Sequence, residues 1–109
     1  MAIIPVYLQT TTPYIDTVIT ELYPGDQIVF INDNFEKFTV IIENANTKFH
    51  TNKDTYFYDI EGGYSATTEP ARSLDLQFNY FVYFHDTRNN NVFNSDAPPR
   101  IILHKQADW

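Results

Sequence analysis

Residues 24–42 read PGDQIVFINDNFEKFTVII. Pro24 presets φ near −65° and Gly25 tolerates positive φ, the pairing that a type II turn requires, so Tyr23 to Asp26 reads as a turn. The run behind it, QIVFIN, is dense in β-branched and aromatic residues and reads as a strand. Asn32-Asp33-Asn34 then makes a corner, and FTVIIEN is a second strand. Runs such as IVFI and VII predict a central position in a sheet.

The same punctuation recurs on both sides of this pair. Ile3 to Leu8 reads as a strand stopped by the Thr-rich TTTP, and 15–22 (IDTVITEL) alternates without an obvious buried side. Residues 44–54 (NANTKFHTNKD) are polar and read as loop, TYFYDI (55–60) as a short aromatic strand, and Gly62-Gly63 as a tight turn or bulge. RSLDLQF (72–78) alternates with Leu74, Leu76 and Phe78 on one side, and YFVYFH (80–85) is the most aromatic strand. DTRNNNVFNSDAPP is a long Asn/Asp-rich excursion, and RIILHK closes the series ahead of a short tail ending in Trp109. No segment reads as a helix. About eight strands, broken every ten or so residues and without internal repeat, predict an all-β Greek-key β-sandwich in a single domain, 1–109.

Seven basic residues face fourteen acidic ones, a net charge of −7 that repels phosphate backbones. Lys37, Lys48, Lys53, Arg72, Arg88, Arg100 and Lys105 are scattered singly, so no nucleic-acid partner is expected. The absence of cysteine excludes disulfides, thiolate ligands and a cysteine nucleophile. The opening MAIIPVYLQTTTP has neither a basic n-region nor a long apolar stretch, and no segment approaches a membrane span. As written, the chain reads as cytoplasmic without membrane insertion, or as secreted if a signal peptide has been removed.

With the strands placed, PGDQIVFINDNFEKFTV resembles the cupredoxin family, the plastocyanin-like copper proteins, in which a Gly-Asp turn and strand are followed by a His-Thr-Val. PARSLDLQFNYFVYFHD is similar to the family's strand pair that leads to its Tyr-x-Tyr-x-Cys, and RIIL to its closing strand. The resemblance implies a cupredoxin-like sandwich over most of residues 15–105. It also implies where copper ligands would stand: the first His on Phe38, the Cys on His85, the second His near Arg88 and the axial Met within 92–96. A blue-copper centre requires the thiolate. With Phe38 in the first His position, no Cys and no Met in that region, the fold is expected without its copper and with no cofactor.

Three other chemistries can be read from the residues. His85 and His104, on strands that a sandwich can bring together, with Asp86 beside them, form a candidate non-blue metal site, although no pair has typical ligand spacing. Asn32, Asp33 and Asn34, with Asp86, Arg88 and Asn91 from the later excursion, supply oxygens and amides that suit calcium or sugar hydroxyls. Short amides and carboxylates are also what tight turns need. TYFYDI and YFVYFH are aromatic on both faces, more than one core absorbs, which points to an interface through Tyr56, Tyr58 and Tyr80. The three serines lie in no nucleophile elbow and there is no phosphate-cradling glycine loop, so no catalysis is expected. The expected function is therefore non-catalytic binding or structural work, through protein contacts or self-association.

Overall fold

The Tyr23 to Asp26 turn forms as its residues dictate. Asp26 N–H donates to Tyr23 O at 3.0 Å, and Gly25 has φ +88°. The Asp26 carboxylate accepts from the backbone N–H of Tyr23 (3.0 Å) and of Ala2 (2.9 Å), tying the start of the chain to the turn.

The computed structural model describes residues 1–11, 14–15, 18–94 and 97–106. Asp16 and Thr17 of the expected 15–22 strand, Ser95 and Asp96 of the excursion, and Trp109 lie outside them. The strands are β1 Ile3–Tyr7, β2 Thr10–Thr11, β3 Tyr14–Ile15, β4 Ile19–Leu22, β5 Gln27–Ile31, β6 Phe38–Glu43, β7 Thr55–Ile60, β8 Ser65–Thr67, β9 Leu76–Asn79, β10 Phe81–Asp86, β11 Asn91–Asn94 and β12 Arg100–Leu103. Ala45–Thr47 is a single 3-10 turn, and among the described residues no helix is long and apolar enough to cross a membrane.

The chain is all-β with several sheets, an arrangement compatible with a β-sandwich. One sheet has the order β1-β5-β8, with β1 parallel to β5; a second has the order β11-β10-β6-β7, all antiparallel; a third is β4-β12-β9, with β4 parallel to β12. β2 pairs with β3 in a short hairpin. β9 and β10 are one run of chain interrupted at Tyr80, whose N–H donates to Pro99 O at 3.0 Å, so the second and third sheets run into one another.

The core lies between the β5 sheet and these two. Ile28 and Phe30 of β5 and Phe38, Val40 and Ile42 of β6 are fully buried. Each such side chain contributes about 1.5–3 kcal/mol by leaving water. The Phe30 ring lies 6.2 Å from that of Tyr58 and 5.7 Å from that of Tyr80, which locks the layers together.

At one end of this core the Asn32 side chain, fully buried, is satisfied on every side. Its Nδ2 donates to Glu36 O and Ile60 O, both at 2.8 Å, and its Oδ1 accepts from Asn34 N at 2.9 Å. Asn34 Nδ2 in turn donates to Leu8 O at 2.6 Å. The β7–β8 turn passes so close that a Cβ on Gly62 would stand 2.6 Å from Phe35 O and closer still to Asn34 O.

The structure departs from the sequence reading at several points. The strands are more numerous than eight because Tyr80 interrupts one run and because the excursion folds back: Asn91–Asn94 pairs with β10 across a turn in which Asn90 takes φ +53°. Ser65–Thr67 and Thr10–Thr11 are also strands. In β4, Thr20 and Leu22 are buried while Ile19 and Glu21 face out. The polar 44–54 segment contributes Ala45 and Phe49 to the core, and Lys48 is buried beside them. The Lys48 ammonium donates to Glu43 O at 2.6 Å and sits 4.4 Å above the Phe78 ring; burial lowers its pKa, and the nearby Glu43 charge opposes that shift. In the 72–78 segment Leu74 and Phe78 pack on the core, but Leu76 is exposed.

Candidate functional site

Alternation along β10 decides which residues face the core. Val82 and Phe84 pair with Val40 and Phe38 of β6, on the buried side, so His85 projects from the opposite face. The Phe38 and Phe84 rings lie 5.0 Å apart. Adjacent residues on a strand point to opposite sides, so the side chain that meets Phe38 is Phe84, and His85, another position the resemblance marks, stands on the other face.

The outward face of the β11-β10-β6-β7 sheet carries a cluster of apolar side chains. Phe57 of β7 and Phe81 of β10 flank Ile41 of β6 in one cross-strand row, and Val92 of β11 stands beside His85. Phe57, Phe81 and Val92 are 61%, 42% and 60% exposed. Ile41, Phe57, Tyr83 and Val92 line a shallow hollow of about 360 Å³. Surfaces of this kind, aromatic and aliphatic with few charges, are typical of contact regions.

Three polar side chains cross the same face. The Thr39 hydroxyl donates to Asp59 Oδ1 at 2.6 Å and lies 2.8 Å from His85 Nε2. A hydroxyl has one proton and an ionised carboxylate only accepts, so the proton between Thr39 and His85 belongs to Nε2. Lys37, which accepts the His85 backbone N–H at its carbonyl (2.9 Å), also borders the hollow.

A second concavity of about 400 Å³ lies at the loop end, lined among others by Asp33, Asn34, Glu36, Asp86, Arg88 and Asn89. Phe35 stands at its lip, 96% exposed. The structure therefore brings Asp33, Asn34, Asp86 and Arg88 together, as two loops far apart in sequence converge. Asn32 and Asn91 do not join them: the first is the buried hydrogen-bond hub, and the second is an exposed β11 residue paired with Asp86. Asp86 is partly occupied in shaping its own turn, accepting from Asn89 Nδ2 at 2.8 Å, and Glu36 binds the Thr87 hydroxyl at 2.7 Å.

The histidines do not converge. His104 stacks on Tyr23 with ring centroids 4.5 Å apart and pairs with Glu21 at 3.2 Å, while His85 serves Thr39 on a different sheet. Among the described residues no three His, Asp or Glu side chains are grouped to hold a metal ion. The His85, Asp86 and His104 grouping is corrected on this ground.

The tyrosine assignment is corrected as well. Tyr56 and Tyr80 are each 1% exposed and belong to the core; Tyr58 is half-buried, stacked on Tyr56 at 5.1 Å. The Tyr56 hydroxyl donates to the Glu69 carboxylate, and burial together with that bond pushes its pKa up to about 12. Burial alone raises Tyr80, whose hydroxyl has no hydrogen-bond partner among the described residues, and raises Tyr58 with help from its neighbours. The residues that reach the surface are Phe57, Phe81 and Tyr83, on the opposite side of the same strands. The signal was present: these strands are aromatic at both parities, and the one-face run Phe38, Val40, Ile42 fixes which parity is buried.

No protein-family model matches the chain, and no curated protein matches it either.

Proposed function

We propose that the chain is a non-catalytic binding or structural module of cupredoxin-like Greek-key architecture, working without copper through protein–protein contacts, self-association included. One observation carries the reading: Phe57 and Phe81, on either side of Ile41, and Val92, beside His85, stand exposed on one face of a sheet. Keeping three large apolar side chains in water forgoes several kcal/mol of burial that a partner recovers. What supports the architecture is that the motifs of the resemblance fall on strands in the same order: QIVFI is β5, FTVIIE is β6, FVYFHD is β10 and RIIL is β12. The copper-free part rests on the sequence, in which Phe38 stands in the first His position and cysteine is absent.

The His85, Thr39 and Asp59 chain does not argue for an enzyme. Thr39 is buried and gives its proton to Asp59, and the carboxylate orients the hydroxyl rather than the imidazole, unlike a nucleophile–base–acid relay. The test of the main reading is light scattering behind gel filtration, with Phe57→Asp as the variant. An assembly larger than one chain, lost in the variant while its far-ultraviolet spectrum is unchanged, supports it. An assembly indifferent to Phe57→Asp removes the face from consideration.

A second reading, a sugar or calcium site in the loop cleft, is favoured by the convergence of Asp33, Asn34, Asp86 and Arg88 under the exposed Phe35. The guanidinium in its wall favours sugar hydroxyls over a cation. Chemical-shift titration with simple hexoses and with Ca²⁺ tests it through the 33–36 and 86–89 amides.

A further inference from the structure

Two charges of the open face, Lys37 and Glu43 in the β6 row, stand in a self-complementary order, while the third, Asp59 of β7, is held by the Thr39 hydroxyl. Along β6 and the residue before it, the outward positions are Lys37, Thr39, Ile41 and Glu43: a cation at one end, a carboxylate at the other, and a hydroxyl and an apolar side chain between. Ladder bonding extends to Lys37, whose carbonyl takes the His85 N–H. Six residues of strand separate the two charges, roughly 20 Å. Among the described residues neither forms an ion pair within the chain, although the Glu43 charge acts on the nearby Lys48 ammonium. Among the described residues the ion pair found is His104 with Glu21, and Lys48 reaches the main-chain oxygen of Glu43 rather than its carboxylate.

We infer that the occupant of this face is a second copy of the chain, packed face to face about a two-fold axis that crosses the strands at the level of Val40, so that Lys37 of each copy meets Glu43 of the other. The inference rests on the reading of the face as a contact surface and adds what covers it. A two-fold interface pairs residue i with j and j with i. Positions 37 and 43, and 39 and 41, are symmetric about 40, so reversing the strand lays cation on anion twice. The other two-fold arrangement, with the axis along the strands, sets Lys37 on Lys37 and Glu43 on Glu43; charge selects between them. Reversal also brings Phe81 of one copy to the level of Tyr83 of the other.

Sedimentation velocity on the wild type, Lys37→Glu, Glu43→Lys, their equimolar mixture and Phe57→Asp tests this. The expected result is a wild-type dimer, an increase of about ten-fold or more in the dissociation constant of each charge-reversed protein, and recovery in the mixture, where both cross pairs are again opposite in sign. Misfolding of one variant cannot mimic that recovery. Charge reversals without effect, or a mixture that stays apart, overturn the two-fold arrangement. If Phe57→Asp still dissociates the dimer, the face survives and only its geometry fails; if it does not, the reading of the face fails too. A wild type that is monomeric at every concentration overturns the second copy as occupant.

Discussion

Phe38 and Phe84 face each other across β6 and β10 with ring centroids 5.0 Å apart and planes inclined at 48°. Phe38 is fully buried and Phe84 half-buried, so the pair closes one end of the core from both sides. The contact is a stability element.

Phe38→Ala is expected to cost about 3–5 kcal/mol, the range for a buried phenylalanine that leaves a cavity. Phe84→Ala, part of whose ring is already wet, costs less. Urea denaturation curves with equal slopes for wild type and variants make the comparison; equal losses at both positions would contradict the packing described.

Asn32→Asp is expected to be more damaging than its size suggests. The amide donates to two carbonyl oxygens, of Glu36 and Ile60, and a carboxylate in its place would present an acceptor to both. Leaving buried groups unsatisfied costs about 1–3 kcal/mol each, more when one is charged. Thermal denaturation shows the loss, and it shrinks as pH falls far enough to protonate the new carboxyl. Asn32→Ala, which removes the donors without adding charge, keeps no such pH dependence.

Alkali reports on the buried tyrosines. Tyr56 has its pKa raised to about 12 in the folded chain, above an unfolded value near 10, and Tyr58 and Tyr80 move in the same direction. A raised folded pKa means that the native state holds the proton more tightly. The contribution is therefore intact below pH 10 and is lost as pH climbs from there to about 12. Absorbance titration should show Tyr56, Tyr58 and Tyr80 remaining protonated near pH 10 and ionising only as the protein unfolds. Tyr80→Phe removes a buried hydroxyl that has no partner among the described residues and is expected to leave stability unchanged or raise it by up to about 1 kcal/mol.

Gly62→Ala tests the closeness of the two loops. A methyl group there meets backbone, not a flexible side chain, at Asn34 and Phe35. A loss of about 1–3 kcal/mol, as in overpacked sites, is expected together with shifts in the 32–36 amide resonances. Gly63→Ala, with open space around it, is strained by its φ of +85° rather than by a clash.

What the sequence made legible follows from local chemistry. The Pro24-Gly25 turn, the strands on either side of Asn32, and the aromatic strands at 55–60 and 80–85 were all visible because turn chemistry and β-branched runs act over a few residues. The buried parity of an aromatic strand is a long-range property. TYFYDI and YFVYFH look alike on both faces, and only their pairing with Phe38, Val40 and Ile42 sends Tyr56, Tyr58 and Val82 inward and Phe57, Phe81 and Tyr83 out. Phe49 was hidden for a related reason: its neighbours are polar, but an isolated bridge to Ala71 carries it into the core. The loop cleft was half legible. Asp33 and Asp86 were recognisable as ligand-competent, whereas the diversion of Asn32 into structural hydrogen bonds depends on the Ile60 carbonyl, far along the chain.

The parallel pairing of β4 with β12 has a temporal meaning. Ile19 to Leu22 finds its ladder partners only at Arg100 to Leu103, behind every other strand. During synthesis, β4 must wait without a ladder partner among the described strands until Arg100 to Leu103 has emerged, and closing so long a loop is entropically slow. The rate at which the nascent chain becomes safe from intermolecular strand pairing is thus set by its last strand rather than by the strong central ones.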